Sequence, residues 1–161
     1  MLKTKKQSGF SLLEVLISVA IVAIGLLGLA AMQTVGLQQN QSAYFRSQAA
    51  QFAYDITDRM RANRGVNGNN IDSYLTADPS SKALNTGCYA AGCLPVPMAD
   101  NDLREWYNTY IQAFPGSNAT GTISKREVAG ETTYRVTIKW DDNRDGSVDN
   151  DDPDFTTDFK P

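Results

Sequence analysis

Residues 10–32 decide the fold of this chain, and they read FSLLEVLISVAIVAIGLLGLAAM. Two serines and the acid Glu14 are the only polar side chains among these 23 residues. At about 1.5 Å of rise per residue, a helix of this length covers the roughly 30 Å hydrocarbon core of a bilayer. The stretch therefore predicts a helix that can span a membrane.

The lysines before this run indicate how the chain would be oriented. Lys3, Lys5 and Lys6 precede it, and the next basic residue is Arg46. Basic residues stay preferentially on the cytoplasmic side, so we expect the N-terminus inside and the rest of the chain outside. A cleaved secretory signal is the alternative. It is disfavoured because such signals have an apolar region of about 7–15 residues, and because an acid opposes passage through the bilayer.

Composition excludes several classes of function. A chain of 161 residues has room for one small domain and an extra element. The net charge of −3 gives no support to nucleic-acid binding through phosphate neutralisation. Because the sequence contains no histidine, Ser-His and Cys-His nucleophiles and His-ligated zinc are excluded. We therefore expect a protein that is not an enzyme and does not bind nucleic acid.

The acid inside the apolar run needs a physical reason. Glu14 lies four residues after Phe10, about 6 Å along a helix. Lys5 and Lys6 lie about two turns further back and belong in water, so the chain itself offers Glu14 no good partner. Two interpretations stay open. The carboxylate either reaches the lipid headgroups or pairs with a positive charge on another chain.

The leader carries a specific resemblance. The residues KKQSGFSLLEVL, numbers 5–16, resemble the processing motif of type IV pilins and type II secretion pseudopilins. The resemblance implies that a prepilin peptidase removes residues 1–9 by cutting between Gly9 and Phe10, and that Phe10 is then N-methylated. It also implies that Glu14 attracts the new N-terminal amine of a neighbouring subunit. Before assembly, residues 10–32 would anchor the chain in the inner membrane with its C-terminus in the periplasm, and after assembly the chain would lie in a surface fibre.

The apolar helix is predicted to continue through residues 33–64. Apolar side chains recur there at helical spacing, with one longer gap, and the stripe consists of Leu37, Phe45, Ala49, Phe52, Ile56 and Met60. The Gly- and Asn-rich stretch that starts at Gly65 supplies stop signals. We expect one long helix with a transmembrane half and an amphipathic half.

Three segments resemble the PilV family of minor pilins. They are AIGLLGLAAMQ at 23–33, DRMRANR at 58–64, and the pattern from Asp-Leu-x-x-Trp to Phe-Pro-Gly within 102–116. The resemblance implies a minor pilin that primes fibre assembly with other minor pilins and the major pilin, near a tip adhesin. A minor pseudopilin of a type II secretion system is a close rival. A membrane-anchored calcium-binding module is the rival from another class.

Residues 65–161 are predicted to form a globular head. We expect a loop region at 65–101, a helix at 102–114, a hairpin at 120–140 and an acidic segment at 141–161. The helix would start with a capping box of Asp102 and Glu105, and its apolar stripe consists of Leu103, Trp106, Tyr107, Tyr110, Ile111 and Phe114. The fold class is α+β: a type IV pilin-like long helix packed against a small C-terminal antiparallel sheet, with one extra short helix.

Two further features of the head carry chemistry. Cys88 and Cys93 are the only cysteines, and in an oxidising compartment they most simply form a disulfide. Residues 141–152 fit the twelve-residue calcium-loop template, with possible ligands at Asp141, Asn143, Asp145, Ser147, Asp149 and Asp152. The last position is Asp instead of the usual Glu, and a strand leads into the loop, so a solvated acidic turn is the alternative. No other cofactor is expected.

Overall fold

The computed structural model describes residue 9 and residues 11–65, 68–88, 92–116 and 118–160. Its dominant element is helix α1, Leu12–Ala62, with 51 residues. By its contacts the chain divides into two compact units, Met1–Gln41 and Ser42–Pro161, so that α1 contributes to both.

In the first unit, α1 exposes its apolar side chains. Among the described residues, α1 is the one helix long and apolar enough to cross a membrane, as judged by length and composition, and none of its most apolar window is buried. Leu12, Ile24 and Met32 are each more than 70% exposed. A helix that is apolar all round requires an apolar environment, such as a bilayer or neighbouring helices.

In the second unit, one face of α1 is buried in the head. The buried positions follow helical spacing, and they are Ala49, Ala53, Ile56, Thr57 and Met60. The predicted stripe is thus confirmed at Ala49, Ile56 and Met60, and Phe45 and Phe52 pack partly against the same core. Leu37 belongs to the first unit and is exposed.

The head contains a three-stranded antiparallel sheet in the order β1-β2-β3. Strands β1, Thr120–Val128, and β2, Glu131–Lys139, form the predicted hairpin, with Thr120 opposite Lys139 and Val128 opposite Glu131. The connection is Ala129-Gly130, and both residues have positive φ, as a tight two-residue hairpin turn requires. The predicted inward face of β2 is confirmed, because Tyr134, Val136, Ile138 and the following Trp140 are buried.

The third strand lies where the sequence predicted only an acidic segment. Strand β3, Asp154–Phe159, pairs with β2 so that Asp158 is opposite Arg135. The Arg135 guanidinium donates two hydrogen bonds to the Asp158 carboxylate, at 2.6 Å each. Phe159 is buried and stacks on Tyr134 with ring centroids 5.7 Å apart. The cross-strand ion pair and the aromatic pair together explain why a short acidic stretch becomes a strand.

The predicted helix at 102–114 has the wrong boundaries. Helix α2 is Pro95–Thr109, with Pro95 at its first position, and a short 3₁₀ turn, Ile111–Ala113, follows it. Proline suits the first turn because its missing N–H would have no helical partner. Asp102 therefore lies within the helix, 9% exposed, and is not a cap. The capping-box prediction fails because side chains from other elements of the head bind the Asp102 carboxylate. Two further 3₁₀ turns, Ile71–Tyr74 and Pro79–Ser81, precede α2.

Trp106 of α2 joins three elements of the core. Its indole N–H donates to the Phe52 carbonyl of α1 at 2.9 Å. A Cβ added to Gly121 of β1 would lie 2.4 Å from two atoms of the Trp106 ring. The strand therefore needs glycine here because the indole fills the space that a side chain would use.

We predict that Gly121→Ala destabilises the head by about 1–3 kcal/mol, the usual cost of overpacking a dense core. The added methyl must displace the buried Trp106 ring, since the neighbouring Ile111 is also close, at 3.2 Å. Urea unfolding of the full chain in detergent, followed by tryptophan fluorescence, measures the effect. Ser124→Ala, at an exposed position of the same strand, is the matched control and should be close to neutral. Equal stability of the two variants would contradict the packing.

Candidate processing and assembly site

The predicted cleavage position lies at the start of α1. Gly9 is exposed and lies outside the helix, and none of the other described residues comes within 4 Å of a Cβ built on it. Phe10 lies outside the described residues, so its predicted methylation stays a prediction. The first helical hydrogen bonds run from the amides of Glu14 and Val15 to the Ser11 carbonyl, at 3.0 and 3.3 Å. Gly9 therefore comes before the hydrogen-bonded helix, where its backbone is open to another protein.

Glu14 lies in the first turn of α1, where its charge interacts favourably with the helix dipole. It is the only charged residue between Gln7 and Phe45, and its side chain is exposed. Within the described part of the chain, no salt bridge reaches its carboxylate. The predicted role of Glu14 in assembly stays a prediction, and the geometry leaves its carboxylate open to a cation from outside the chain.

The surface around Glu14 is an apolar groove on the helix. Leu13, Ile17 and Ile21 line it together with Glu14 and two serines. The Ser18 hydroxyl donates to the Val15 carbonyl at 2.8 Å, which satisfies it within the helix. In an apolar environment such as a bilayer or a fibre core, the attraction between this carboxylate and an approaching cation would be stronger than in water.

The segment 58–64, quoted above for its resemblance to minor pilins, holds the head together. Arg59 of α1 donates to Asp55 and to Glu105 at 2.8 Å each, and its Nη1 lies 3.4 Å from an Asp102 oxygen. Tyr74 donates its hydroxyl to the other Asp102 oxygen at 2.5 Å. We call these five residues the Arg59 clamp. It ties the end of α1 to α2 and to the turn Ile71–Tyr74.

Asn63 strengthens the same junction. Its side-chain amide donates to the Pro95 carbonyl at 2.7 Å and to the Tyr74 hydroxyl at 3.2 Å. One amide thus links the end of α1 to the start of α2 and to the clamp. Three side chains of this segment therefore help to build the head: Arg59, Met60 and Asn63.

Burial and mutual hydrogen bonds shift the pKa values of three members of the Arg59 clamp. Burial raises the pKa of the Asp102 carboxyl, although Tyr74 and Arg59 oppose that rise. Burial also raises the pKa of Tyr74, and the hydrogen bond to Asp102 adds to it. For Arg59, burial lowers the pKa, but the hydrogen bond and charge of Glu105 and Asp55 outweigh it, so the net pKa is raised. Arg59 thus stays charged and compensates the buried Asp102 carboxyl.

We predict that Arg59→Ala destabilises the head at neutral pH by about 2–3 kcal/mol, below the cost of breaking a fully buried pair because Arg59 is 24% exposed. The loss comes mainly from leaving the Asp102 carboxylate without its cation. Arg61→Ala, which breaks the exposed pair with Asp58, is the matched control and should cost about 1 kcal/mol or less.

The pH dependence checks the cause. Loss of Arg59 raises the folded-state pKa of Asp102 further, so the folded variant binds a proton more readily than the unfolded chain does. The deficit of Arg59→Ala should therefore shrink as pH falls through that raised pKa. Urea unfolding of both variants at neutral pH and at about pH 4 measures it. A deficit that is independent of pH would contradict the role of Asp102.

Cys88 and Cys93 form the predicted disulfide. Their Cα atoms lie 4.8 Å apart, and Cys88 is 5% exposed. Residues 89–91, between them, lie outside the described residues. The bond closes a short loop immediately before α2 and limits the freedom of the chain that leads into that helix.

The acidic loop 141–152 is folded by its own first and last aspartates. Asp141 is 1% exposed, and its two carboxylate oxygens accept from the amides of Asp145 and Gly146 at 3.2 and 3.0 Å. The two oxygens of Asp152 accept from the amides of Asp142 and Asp149, at 2.9 and 3.1 Å. These acids accept hydrogen bonds from backbone N–H groups of the loop, and the Asp145 amide also donates to Asn143.

The calcium expectation remains untested. Asn143 accepts from the Asp145 amide, and Asp145 accepts from the amide and hydroxyl of Ser147. The hydrogen bond from the Ser147 amide is the main reason that the pKa of Asp145 is lowered. Over the described ranges, no group of three or more Asp, Glu, His or Cys side chains is placed to hold a metal ion. The loop has a structural explanation in its hydrogen bonds, and a cation in it stays a prediction.

We predict that Asp141→Ala lowers stability by about 1–3 kcal/mol, because the Gly146 amide loses its charged acceptor and the Asp145 amide keeps only Asn143. Asp151→Ala, at an exposed position of the same loop, should change stability by about 0.5 kcal/mol or less. Melting curves of the full chain measure both.

The same curves with millimolar calcium and with chelator test the ion: calcium-independent melting of the unmodified chain would contradict the calcium expectation.

The combined features define a class of protein. A basic leader that ends at glycine, an apolar helix with one acid near its start, and a small α+β head are typical of a membrane-anchored subunit processed by prepilin peptidase. Residues 4–30 match the model of the prokaryotic N-terminal methylation motif. Residues 31–104 match the model of type IV pilin Tt1218. No characterised protein and no solved structure matches the chain significantly.

The two family matches, together with the fold, support the type IV pilin superfamily for this chain. The leader implies processing by prepilin peptidase and assembly as a pilin, and the apolar helix fits membrane anchoring. Pilins are a structural family and are not known as enzymes. The α+β fold class is confirmed.

Sequence reasoning missed the role of Asp102 although a signal was present. The principle applied to Glu14, that an acid among apolar positions needs a partner, applies equally to Asp102 beside Leu103 and Trp106. The capping-box interpretation explained the acid locally and concealed its long-range partners, Arg59 and Tyr74.

Proposed function

We propose that this chain is a minor pilin of the PilV type. Prepilin peptidase cuts it between Gly9 and Phe10, the new N-terminus is methylated, and the chain joins other minor pilins to start a pilus. It then lies at or near the tip, in contact with the major pilin and with a tip adhesin. Support comes from the methylation motif, the pilin match and the resemblance of residues 23–33, 58–64 and 102–116 to minor pilins.

One observation carries the proposal: Glu14 is the lone charge in the exposed apolar part of α1, residues 12–41. Within a membrane or a fibre core, an unpaired carboxylate is costly, so it needs a cation at the same depth. Cleavage after Gly9 creates such a cation, the N-terminal amine of the processed chain. In the proposed fibre, the pair forms between Glu14 of one subunit and the N-terminal amine of its neighbour, as the resemblance to pilins implies.

Charge and cysteine usage support the proposed location. The leader lysines keep the N-terminus cytoplasmic before cleavage, and the head lies in the periplasm. Removal of three lysines from 15 basic residues, against 18 acids, changes the side-chain balance from −3 to −6. The Cys88–Cys93 disulfide suits an oxidising compartment. The mature chain is then an acidic protein held at the inner membrane until it enters the fibre.

A minor pseudopilin of a type II secretion system is the second candidate, because the leader and the long helix are common to both classes. Deletion of the gene separates them. Loss of surface fibres with normal enzyme secretion supports the pilin, whereas loss of secreted enzymes with normal fibres supports the pseudopilin.

We predict that Glu14→Leu and Glu14→Gln are cleaved and inserted into the membrane but enter the fibre about tenfold less than the unmodified chain, a loss of about 1.4 kcal/mol. Glu14→Asp keeps the charge and should retain part of the incorporation. Mass spectrometry of the N-terminal peptide reports cleavage and methylation, and quantitative mass spectrometry of sheared fibres reports incorporation.

The Gln variant is the decisive control because it keeps the shape of Glu14 and removes only the charge. Normal incorporation of Glu14→Gln would show that the carboxylate merely reaches the headgroups. A mature N-terminus near Met32 instead of at Phe10 would show that the leader is an ordinary secretory signal and would overturn the pilin assignment.

A further inference from the structure

Two depressions that share lining residues lie on the head. Their volumes are about 290 and 250 Å³, and both are lined by Tyr107 and Ala119. The first is also bounded by Asp78, Pro79 and Asn118, and the second by Gln112. We call the pair the Tyr107 cleft. Together the two depressions have the size of a small-ligand site.

The cleft has an apolar floor and an aromatic wall. Pro79 and Ala119 are buried, and Tyr107 is half-buried. Tyr107 belongs to the predicted apolar stripe of α2, but, unlike Leu103 and Trp106, it is not fully covered by the core. The part of the ring that the core and the Arg104 guanidinium leave open offers an apolar platform to a ligand.

Polar side chains stand at the rim of the platform. Asp78, Gln112 and Asn118 are exposed and lie at different sides of it. The Ser80 amide donates to Asp78 at 2.8 Å, which orients the carboxylate and uses one of its roughly four acceptor sites. The Asn118 amide donates to the Gly146 carbonyl at 2.8 Å, which orients that side chain. The rim thus holds oriented hydrogen-bonding groups around an apolar centre.

The charges at the cleft balance. Hydrogen bonds from Ser80 lower the pKa of Asp78, with a smaller contribution from the charge of Arg104, so the carboxylate stays ionised. The Arg104 guanidinium lies over the Tyr107 ring, 5.9 Å from its centroid, and donates to the Ser80 carbonyl. One positive and one negative group therefore flank the ring. A cleft with balanced charge gives no electrostatic advantage to an anion or a cation.

We propose that the Tyr107 cleft binds a neutral, hydroxyl-rich ligand, a saccharide of one or two pyranose rings. The C–H face of a ring lies against Tyr107, and its hydroxyls bond to Asp78, Gln112 and Asn118. The two depressions, which share Tyr107 and Ala119, accommodate adjacent rings. This role concerns ligand recognition by the head and is independent of assembly through Glu14.

Saturation-transfer NMR on the full chain in a sugar-free zwitterionic detergent tests the proposal. The probes are the methyl glycosides of glucose, galactose, mannose and N-acetylglucosamine, with choline and acetate as cationic and anionic comparisons. We expect millimolar binding of at least one glycoside. Tyr107→Ala should weaken it about tenfold, and Gln112→Ala several-fold.

Matched controls separate binding from folding. Tyr54→Ala removes an exposed tyrosine of α1, and Asn108→Ala an exposed polar residue of α2. Both should bind as the unmodified chain does. Tyr107→Phe keeps the ring and its contact with Arg104, so it should retain most of the binding and covers the case in which Tyr107→Ala does not fold. Saturation transfer to none of the glycosides, equal binding by folded Tyr107→Ala, or preferential binding of choline or acetate would overturn the proposal.

Discussion

The indole of Trp106 is the contact on which the head depends. It extends from α2, its N–H bonds the Phe52 carbonyl of α1, and its ring occupies the space above Gly121 in β1. A backbone carbonyl has a second lone pair beside the one used within its helix, so the Phe52 carbonyl can accept this bond and tie α2 to α1. Because the same ring contacts the sheet, it sets the distance between the sheet and the helices. Phe114, which stacks on Trp140 with centroids 5.1 Å apart, continues this aromatic layer.

Around this layer the chain uses polar contacts to close the edges of the head. The Arg59 clamp joins three elements near the end of α1, and Asp141 and Asp152 organise the loop between β2 and β3. Tyr134 donates to Asp72 at 2.5 Å, and Lys125 pairs with the same acid at 3.0 Å. These acids hold turns and helices in place. A high content of aspartate in this chain is therefore compatible with a mainly structural use of the carboxylates.

The N-terminal part of α1 follows a different physical rule. Its side chains are exposed and apolar, and its one charge lies in the first turn. Because the head does not bury these side chains, burial of their apolar surface must come from a membrane or from neighbouring helices. The head, in contrast, satisfies most of its polar groups internally: Thr133 has the single buried side-chain oxygen without a partner in the described ranges. Both parts suit the proposed role, in which the helix is held first in a membrane and then in a fibre.

The sequence by itself determined the features that depend on local pattern: the apolar span, the leader motif with Gly9 and Glu14, the β1–β2 hairpin and the short disulfide loop. Each is encoded within a few residues by hydrophobic periodicity, a turn signal or covalent chemistry. Tertiary structure alone decided the rest. The local pattern predicts a helix cap at Asp102, because its true partners, Tyr74 and Arg59, lie 28 and 43 residues away along the chain. Strand β3 forms because Arg135 of β2 pairs with Asp158 and Tyr134 of β2 stacks on Phe159. The Tyr107 cleft forms because three separate segments of the chain meet there. Long-range contacts of this kind leave no local pattern, so no short stretch of the sequence reveals them.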